Sequence, residues 1–318
     1  MTDPSLFRST PDPAYSSARP APGAEELSEL DRRMGGLVVN RWTYRPLRLL
    51  TRLLPSPPAV PGVTESRALG SILLTPAERR GRGAVLFFHG GGYVIGSNDQ
   101  ARFTASDLAA RAGVPVLCPP YRLGPRHPFP APLEDALAAW DRLQEGAGAL
   151  GIDPARVVLG GSSAGAGLAT TLSHRLLDRG GVQPAARLLI YPMLDDRTAA
   201  QTALDRPAGQ ARHRVWSNAN NRFGWTSYLG GPPGGAVPEG AVPARRADLR
   251  GLPPTWIGVG TSDLFLDEDR AYAGRLAEAG VEVTYLEAAG GLHGFETAET
   301  PMGAAFRAAQ AEFLRRHS

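Results

Sequence analysis

Short apolar runs alternate with helix-length segments from about residue 63 to the C-terminus, and this alternation limits the fold more than any other feature. The runs predict buried strands at Ser71–Leu74, Ala84–Phe88, Val114–Cys118, Arg156–Leu159, Leu188–Tyr191, Thr255–Val259 and Val281–Leu286. The segments between and after them predict helices at Ala101–Ala112, Leu133–Leu143, Ala164–Arg179, Glu268–Ala279 and Ala304–Arg316. Together they predict an α/β fold, in which helices cover both faces of a mostly parallel sheet.

Two segments stand outside the alternation. Residues 195–250 contain Trp216, Trp225 and a Gly/Pro-rich stretch, and they are too long for an ordinary connection, so we expect an inserted cap. Residues 1–60 precede the first predicted strand. The first 24 or so are rich in Pro, Ser and Ala and predict a loose start, and a helix is expected from about Glu25. Residues 38–54 have a leucine-rich helical pattern that predicts packing on another surface.

The composition excludes several kinds of chemistry. All 34 basic residues are Arg, so Schiff-base chemistry on Lys and a phosphate-binding P-loop are excluded. The Arg residues are scattered among acidic ones and the formal net charge is only +3, which argues against nucleic acid as a partner. Cys118, the single cysteine, lies in an apolar run, so we expect a buried thiol and no intrachain disulfide.

The hydrophobic runs also bear on location. The N-terminus has no apolar stretch of signal-peptide length, and no later run reaches the roughly 18 apolar residues of a membrane span. We therefore expect a cytoplasmic protein without stable membrane insertion.

The segment Gly160-Gly161-Ser162-Ser163-Ala164-Gly165 joins a predicted strand to a predicted helix. It contains the frame G-x-S-x-G from Gly161 to Gly165, which in this setting predicts a nucleophile elbow. Ser163 is the predicted nucleophile, because the same frame centred on Ser162 would end on Ala164. In a chain with 38 Gly residues the G-x-S-x-G frame alone is weak evidence for a nucleophile elbow, because it arises often by chance. The flanking strand and helix make the prediction specific.

The glycine loop His89-Gly90-Gly91-Gly92 follows the predicted strand Ala84–Phe88 and should face the elbow across the carboxyl edge of the sheet. The backbone N–H groups of Gly91, Gly92 and Ala164 are the predicted donors to an oxyanion. His89 begins this loop, so we assign it a structural role rather than that of the base.

A nucleophilic serine needs a histidine base, and that histidine needs a carboxylate to orient it. Of the six histidines, only His293 follows the last predicted strand, in a glycine-rich loop. Asp263 is the first carboxylate after the preceding strand, whereas Asp267 is expected to act as the N-cap of the next helix. The predicted order along the chain is therefore Ser163, Asp263, His293.

Several motifs resemble the bacterial hormone-sensitive-lipase-like (family IV) carboxylesterases from about Val63 to the C-terminus. They are His89-Gly90-Gly91-Gly92-Tyr93-Val94, Tyr121-Arg122-Leu123, His127-Pro128-Phe129-Pro130-Ala131-Pro132-Leu133-Glu134-Asp135, Ser163-Ala164-Gly165 and His293-Gly294-Phe295. The resemblance implies the α/β-hydrolase fold with an eight-stranded sheet, and hydrolysis of esters with short to medium acyl chains. It also implies a catalytic domain at residues 61–194 and 251–318, and a helical cap made of residues 1–60 and 195–250. No cofactor or metal is implied.

The chain departs from the family pattern at Ser162, Gly124 and Arg126, which leaves the substrate preference and pH optimum open. It also has Leu264 after Asp263, where the family often has Pro after its catalytic Asp. Amide, lactone or carbamate hydrolysis remains an alternative, because one triad serves all acyl transfer. A ligand-binding receptor that has kept the scaffold is a second alternative, although such a receptor can lose the histidine that this chain retains.

The expected partner is a small ester, and the pattern also allows a homodimer through the edge strand Val281–Leu286.

Overall fold

The computed structural model describes residues 38–53, 58–204 and 215–318, together with residue 36 and the backbone of residues 7–9. Residues 7–9 of the predicted loose start form a short strand, so that prediction is wrong there. The rest of the predicted loose start and the helix expected from Glu25 lie outside the described residues.

A single mostly parallel sheet forms the centre of the protein. Its strands are β1 (Phe7–Ser9), β2 (Val63–Ala68), β3 (Ser71–Pro76), β4 (Ala84–Phe88), β5 (Val116–Cys118), β6 (Val157–Ser162), β7 (Ala186–Ile190), β8 (Thr255–Gly260) and β9 (Val283–Ala288). Their order across the sheet is β1-β9-β8-β7-β6-β4-β5-β3-β2, and the pairs involving β3 (β3–β5 and β2–β3) are antiparallel. The expected eight-stranded sheet is thus confirmed, and the short strand β1 extends it at one edge.

Burial explains which strands the sequence reveals. All residues of β4, β5, β7 and β8 are buried, as their composition predicts apart from the buried Arg187 and Thr255, and Cys118 is a buried free thiol. The polar strand β2 is mostly exposed at the edge, so no apolar run marked it.

At the opposite edge β1 pairs with Val283–Tyr285 of β9, so the expectation of a free edge is wrong over that span. Homodimerisation remains a prediction.

Helices cover both faces of the sheet. The α-helices of the described residues, counting those of the N-terminal and inserted segments, are α1 (Tyr44–Leu53), α2 (Arg102–Ala112), α3 (Ala131–Gly146), α4 (Ala164–Arg179), α5 (Asp196–Ala200), α6 (Asn218–Leu229), α7 (Leu266–Glu278) and α8 (Pro301–His317). The helix α4 has the predicted bounds, and α2, α3, α7 and α8 differ from theirs by a few residues at the ends. Among the described residues, none of the helices combines the length and the apolar character that a transmembrane span requires.

The N-terminal segment packs on the segment inserted between β7 and β8. Tyr44 of α1 contacts Phe223 of α6, with 5.8 Å between ring centroids, and the backbone N–H of Val39 donates to Asn220 Oδ1 at 2.8 Å. Two segments far apart in sequence therefore form one layer.

Candidate active site

The turn between β6 and α4 holds Ser163 in a strained conformation. Its φ of 54° lies in the left-handed region that a non-glycine residue adopts only at a cost. The backbone compensates, because the Ser163 N–H donates to Ile190 O at 2.9 Å and its carbonyl accepts from Gly167 N at 3.0 Å and Met193 N at 3.1 Å. The hydroxyl is therefore fixed at the carboxyl edge of the sheet.

Glycines allow this turn to pack. A Cβ on Gly161 would lie 2.5 Å from the carbonyl carbon of Gly165, and a Cβ on Gly165 would lie well inside 3.0 Å of Phe88 O. Both neighbours are backbone and have little freedom to move. The G-x-S-x-G frame is thus explained by crowding at the elbow.

The structure brings the three predicted triad residues together. His293 Nε2 lies 3.1 Å from Ser163 Oγ, and His293 Nδ1 lies 2.8 Å from Asp263 Oδ2. The second carboxylate oxygen of Asp263 accepts from the backbone N–H of Phe265 at 3.0 Å, and the Asp263 side chain is inaccessible to solvent. In this arrangement the carboxylate holds the proton on Nδ1, so that Nε2 is free to accept the serine proton.

Asp267 does not compete for this role. Its side chain is 94% exposed and pairs with Arg270. The expectation that Asp267 is the N-cap of α7 is wrong, since the cap is Phe265, without a side-chain bond, and Asp267 lies in the first turn. The chain turns into the helix earlier than expected because the Asp263 carboxylate already accepts the Phe265 N–H.

Aromatic rings and a second carboxyl enclose His293. Its ring lies 4.5 Å from Tyr191 and 5.3 Å from Phe265, centroid to centroid. The Tyr191 hydroxyl donates to Glu296 Oε1 at 2.5 Å, and burial raises the pKa of the Glu296 carboxyl. Sequence reasoning missed Tyr191 and Glu296; their one signal is position, directly after β7 and directly after the His293-Gly294-Phe295 motif.

The glycine loop after β4 lies against the elbow. A Cβ on Gly90 would lie 3.1 Å from Ser162 O and 3.4 Å from Ser163 Cβ. Gly91 and Gly92 have φ of 114° and 59°, which favour glycine. Within the part of the chain that the structure describes, the N–H groups of Gly91, Gly92 and Ala164 donate no hydrogen bond to another protein group. They are thus available to an oxygen of a ligand bound at Ser163.

His89 stabilises this loop, as predicted. Its Nδ1 lies 2.7 Å from Gly90 O, and its ring stacks on Tyr121 at 4.3 Å. The Tyr121 hydroxyl donates to the backbone carbonyl of His89 at 2.7 Å. Burial lowers the pKa of His89 to about 4, so the ring is neutral at pH 7 and donates through Nδ1.

Two more residues contact the glycine loop or the chain just beyond it. Arg48 of α1 donates to Val94 O at 2.7 Å and to Gly124 O at 2.6 Å. The buried Trp216, just before α6, packs its ring on Gly92, so closely that a Cβ on Gly92 would overlap it. Its indole N–H has no hydrogen-bond partner within the described residues. The sequence offered Trp216 only as one of several apolar side chains and gave no signal for Arg48.

Comparison with known proteins agrees with this geometry. A family model described as the α/β hydrolase fold matches residues 85–297. The chain is 39% identical to an acetyl-hydrolase of Streptomyces hygroscopicus over 213 residues, which cover 67% of each protein. It is 30% identical to the carboxylesterase NlhH of Mycobacterium tuberculosis over 93% of this chain and 92% of that protein.

A solved structure extends the agreement to three dimensions. The crystal structure of an esterase from the bacterial hormone-sensitive lipase family superposes with a TM-score of 0.75 at 30% identity, over 93% of this chain and 99% of that one. The resemblance that the motifs carry is thus confirmed. The chain belongs to the α/β hydrolase family.

Proposed function

We propose that this protein is a serine carboxylesterase that hydrolyses small esters through an acyl-enzyme on Ser163. The observation that carries the proposal is the hydrogen-bonded series from Asp263 through His293 to Ser163. It lies beside the glycine loop, whose Gly91 and Gly92 N–H groups have no hydrogen-bond partner among the described residues. The acetyl-hydrolase and carboxylesterase relatives support ester hydrolysis as the reaction.

In the proposed mechanism Ser163 Oγ attacks the ester carbonyl carbon, and its proton passes to His293 Nε2. The negative charge that develops on the carbonyl oxygen is stabilised by the N–H groups of Gly91, Gly92 and Ala164. The C–O bond then breaks, and the departing alcohol takes the proton from His293. Water attacks the acyl-enzyme by the same steps and releases the carboxylic acid and free Ser163.

Asp263 has two tasks in this cycle. It fixes the imidazole in the tautomer that presents Nε2 to the serine, and it stabilises the imidazolium that forms after proton transfer. Its full burial makes the second task effective, because the charge pair is shielded from water.

We also propose that short to medium acyl chains are preferred. The Trp216 ring on Gly92 occupies space directly beside the proposed oxyanion site. This supports a limit on the size of the acyl group that fits there. We further propose that residues 1–60 and 195–250 contribute the cap over a catalytic domain of residues 61–194 and 251–318, except that β1 (Phe7–Ser9) joins the central sheet. The contact between α1 and α6 supports this cap. The cytoplasmic location stays a prediction.

The experiment is a p-nitrophenyl ester series, from acetyl to long acyl chains, with the wild type, Ser163→Ala and the neighbouring control Ser162→Ala. Activity should peak at short chains, vanish in Ser163→Ala and persist in Ser162→Ala. A matched p-nitroanilide series tests amide hydrolysis, and a lactone and a carbamate complete the set. Substrate binding without turnover by the folded wild type would instead indicate the receptor alternative and contradict the proposal.

A further inference from the structure

The outward face of α1 is apolar and exposed. Trp42, just before the helix, is 73% exposed, and Leu49, Leu50 and Leu53 are 59%, 50% and 72% exposed. Pro46 is exposed between them. Within the described residues, Val182 is the one exposed large apolar side chain outside residues 38–53. We call Trp42, Pro46, Leu49, Leu50 and Leu53 the outer stripe.

Helical geometry explains why these side chains share a face. Steps of three and four residues return to the same side of a helix, and the outer stripe follows this spacing. The opposite side packs on the protein through the buried Tyr44 and the half-buried Leu47 and Thr51. The outer stripe therefore points away from the core. A contiguous exposed apolar patch of this kind marks an interaction surface.

The charges beside the outer stripe are of one sign. Residues 38–53 contain no Asp or Glu. Arg41 and Arg45 lie one helical turn apart and are exposed, and the Arg41 guanidinium lies 4.7 Å from the centre of the Trp42 ring. Neither arginine forms an ion pair with a carboxylate in the described part of the chain. The surface thus combines an apolar face with uncompensated positive charge.

We propose that this face docks on an anionic lipid surface, with α1 lying in the plane of the headgroups. An amphipathic helix with Trp and Leu on one side and Arg at its border is suited to that position. At ten residues α1 is far shorter than the roughly 20 residues of a membrane span, so it lies on the bilayer rather than across it. The arginines would meet lipid phosphates while the leucines enter the acyl boundary.

The charges favour lipid over a second copy of the chain. If two copies met symmetrically on the outer stripe, the same surface would face itself. Arg41 and Arg45 of each copy would then approach their equivalents, and residues 38–53 supply no acidic partner. A surface of anionic phosphates compensates the same charges instead.

Docking through α1 would place the proposed active site near the bilayer. Arg48 of the same helix binds the carbonyl of Val94, two residues beyond the glycine loop, and Tyr44 packs on α6. Lipid binding itself does not depend on the proposed ester hydrolysis, and the two are measured separately.

Co-sedimentation of the full chain with vesicles tests the proposal. Binding to phosphatidylcholine vesicles that contain phosphatidylglycerol should exceed binding to phosphatidylcholine alone at least about tenfold, and should weaken as NaCl rises from ~0.1 M to ~0.5 M. Each replacement Arg41→Gln and Arg45→Gln should lower the partition coefficient about fivefold. The double variant Leu49→Ser/Leu50→Ser should lower it more than about tenfold, and the control Val182→Ser should leave it unchanged. Turnover of a water-soluble ester should be the same in all these variants, which shows that they are folded.

Trp42 supplies an independent signal. Its fluorescence, taken as the difference between wild type and Trp42→Phe, should shift to the blue on binding and be quenched by brominated lipid. The proposal is overturned if the protein binds neither kind of vesicle. That result is expected if another part of the chain covers the outer stripe. The proposal is also overturned if the double leucine variant binds vesicles as well as the wild type does. It is overturned as well if the only effect of the double leucine substitution is to dissociate a dimer of the protein. Loss of esterase activity in a protein that still binds vesicles would count against the proposed function alone.

Discussion

Replacing Gly92 by Ala should damage the proposed oxyanion site through one identified contact. A Cβ at Gly92 would overlap Cζ2 of Trp216, whereas ordinary contact begins at 3.4 Å. The loop or the indole must therefore move by about 1 Å, and a displacement of this size typically costs about 100-fold in rate. The φ of 59° adds a smaller strain of about 1–2 kcal/mol for any residue with a Cβ.

A double-mutant cycle separates the two causes. Trp216→Leu keeps an apolar side chain but removes the ring atoms that the new Cβ would meet. Gly92→Ala should lower kcat/KM for p-nitrophenyl acetate about 100-fold in the wild type and only about tenfold in Trp216→Leu. Circular dichroism and Tm establish that the four proteins are folded. An equal loss in both backgrounds would show that the overlap with Trp216 is not the cause.

Three further predictions concern buried groups. Asp196 is inaccessible to solvent and binds Arg245 through two bonds of 2.7 and 2.9 Å, so Asp196→Asn should destabilise the protein by about 1.5–3 kcal/mol in urea unfolding, while the exposed Asp248→Asn should leave Tm unchanged. Burial lowers the pKa of His89 from 6.5 to about 4, so between these values the unfolded chain binds a proton that the folded chain does not. The contribution of His89 to the free energy of unfolding should therefore fall as the pH drops from 6.5 to 4, so the free energy of unfolding of the wild type minus that of His89→Asn should decrease over that range; a constant difference would contradict the assignment. Burial raises the pKa of the Cys118 thiol, so a disulfide reagent should label it in urea and not in the native protein.

The parallel core and the elbow could be predicted because their signals are local. An apolar run such as Ala84–Phe88 is buried on both faces of the sheet, so its composition reports its position. Ser163 lies between a strand and a helix that the sequence itself delimits. Asp263 and His293 could be predicted because each comes after a strand, and the carboxyl ends of parallel strands lie at one edge of the sheet.

What could not be predicted depends on contacts between distant segments. The strand β2 is polar because it lies exposed at an edge, so its residues resemble a loop. The helix α6 begins with Asn218, and its run of asparagines lacks a clear apolar period, although Asn221 is fully buried. The contact of Trp216 with Gly92 and the hydrogen bond from Arg48 to Val94, just beyond the glycine loop, arise only when the N-terminal and inserted segments pack on the sheet.

Covalent labelling of the nucleophile tests the central claim most directly. The wild type is treated with diethyl p-nitrophenyl phosphate, and the intact mass, the modified peptide and the residual esterase activity are measured together. We predict one diethylphosphoryl group per chain, on Ser163, with activity lost in proportion to labelling and no labelling of Ser163→Ala or of wild type in urea. Labelling on Ser162, or full esterase activity in a protein phosphorylated at Ser163, would contradict the assignment of Ser163 as nucleophile.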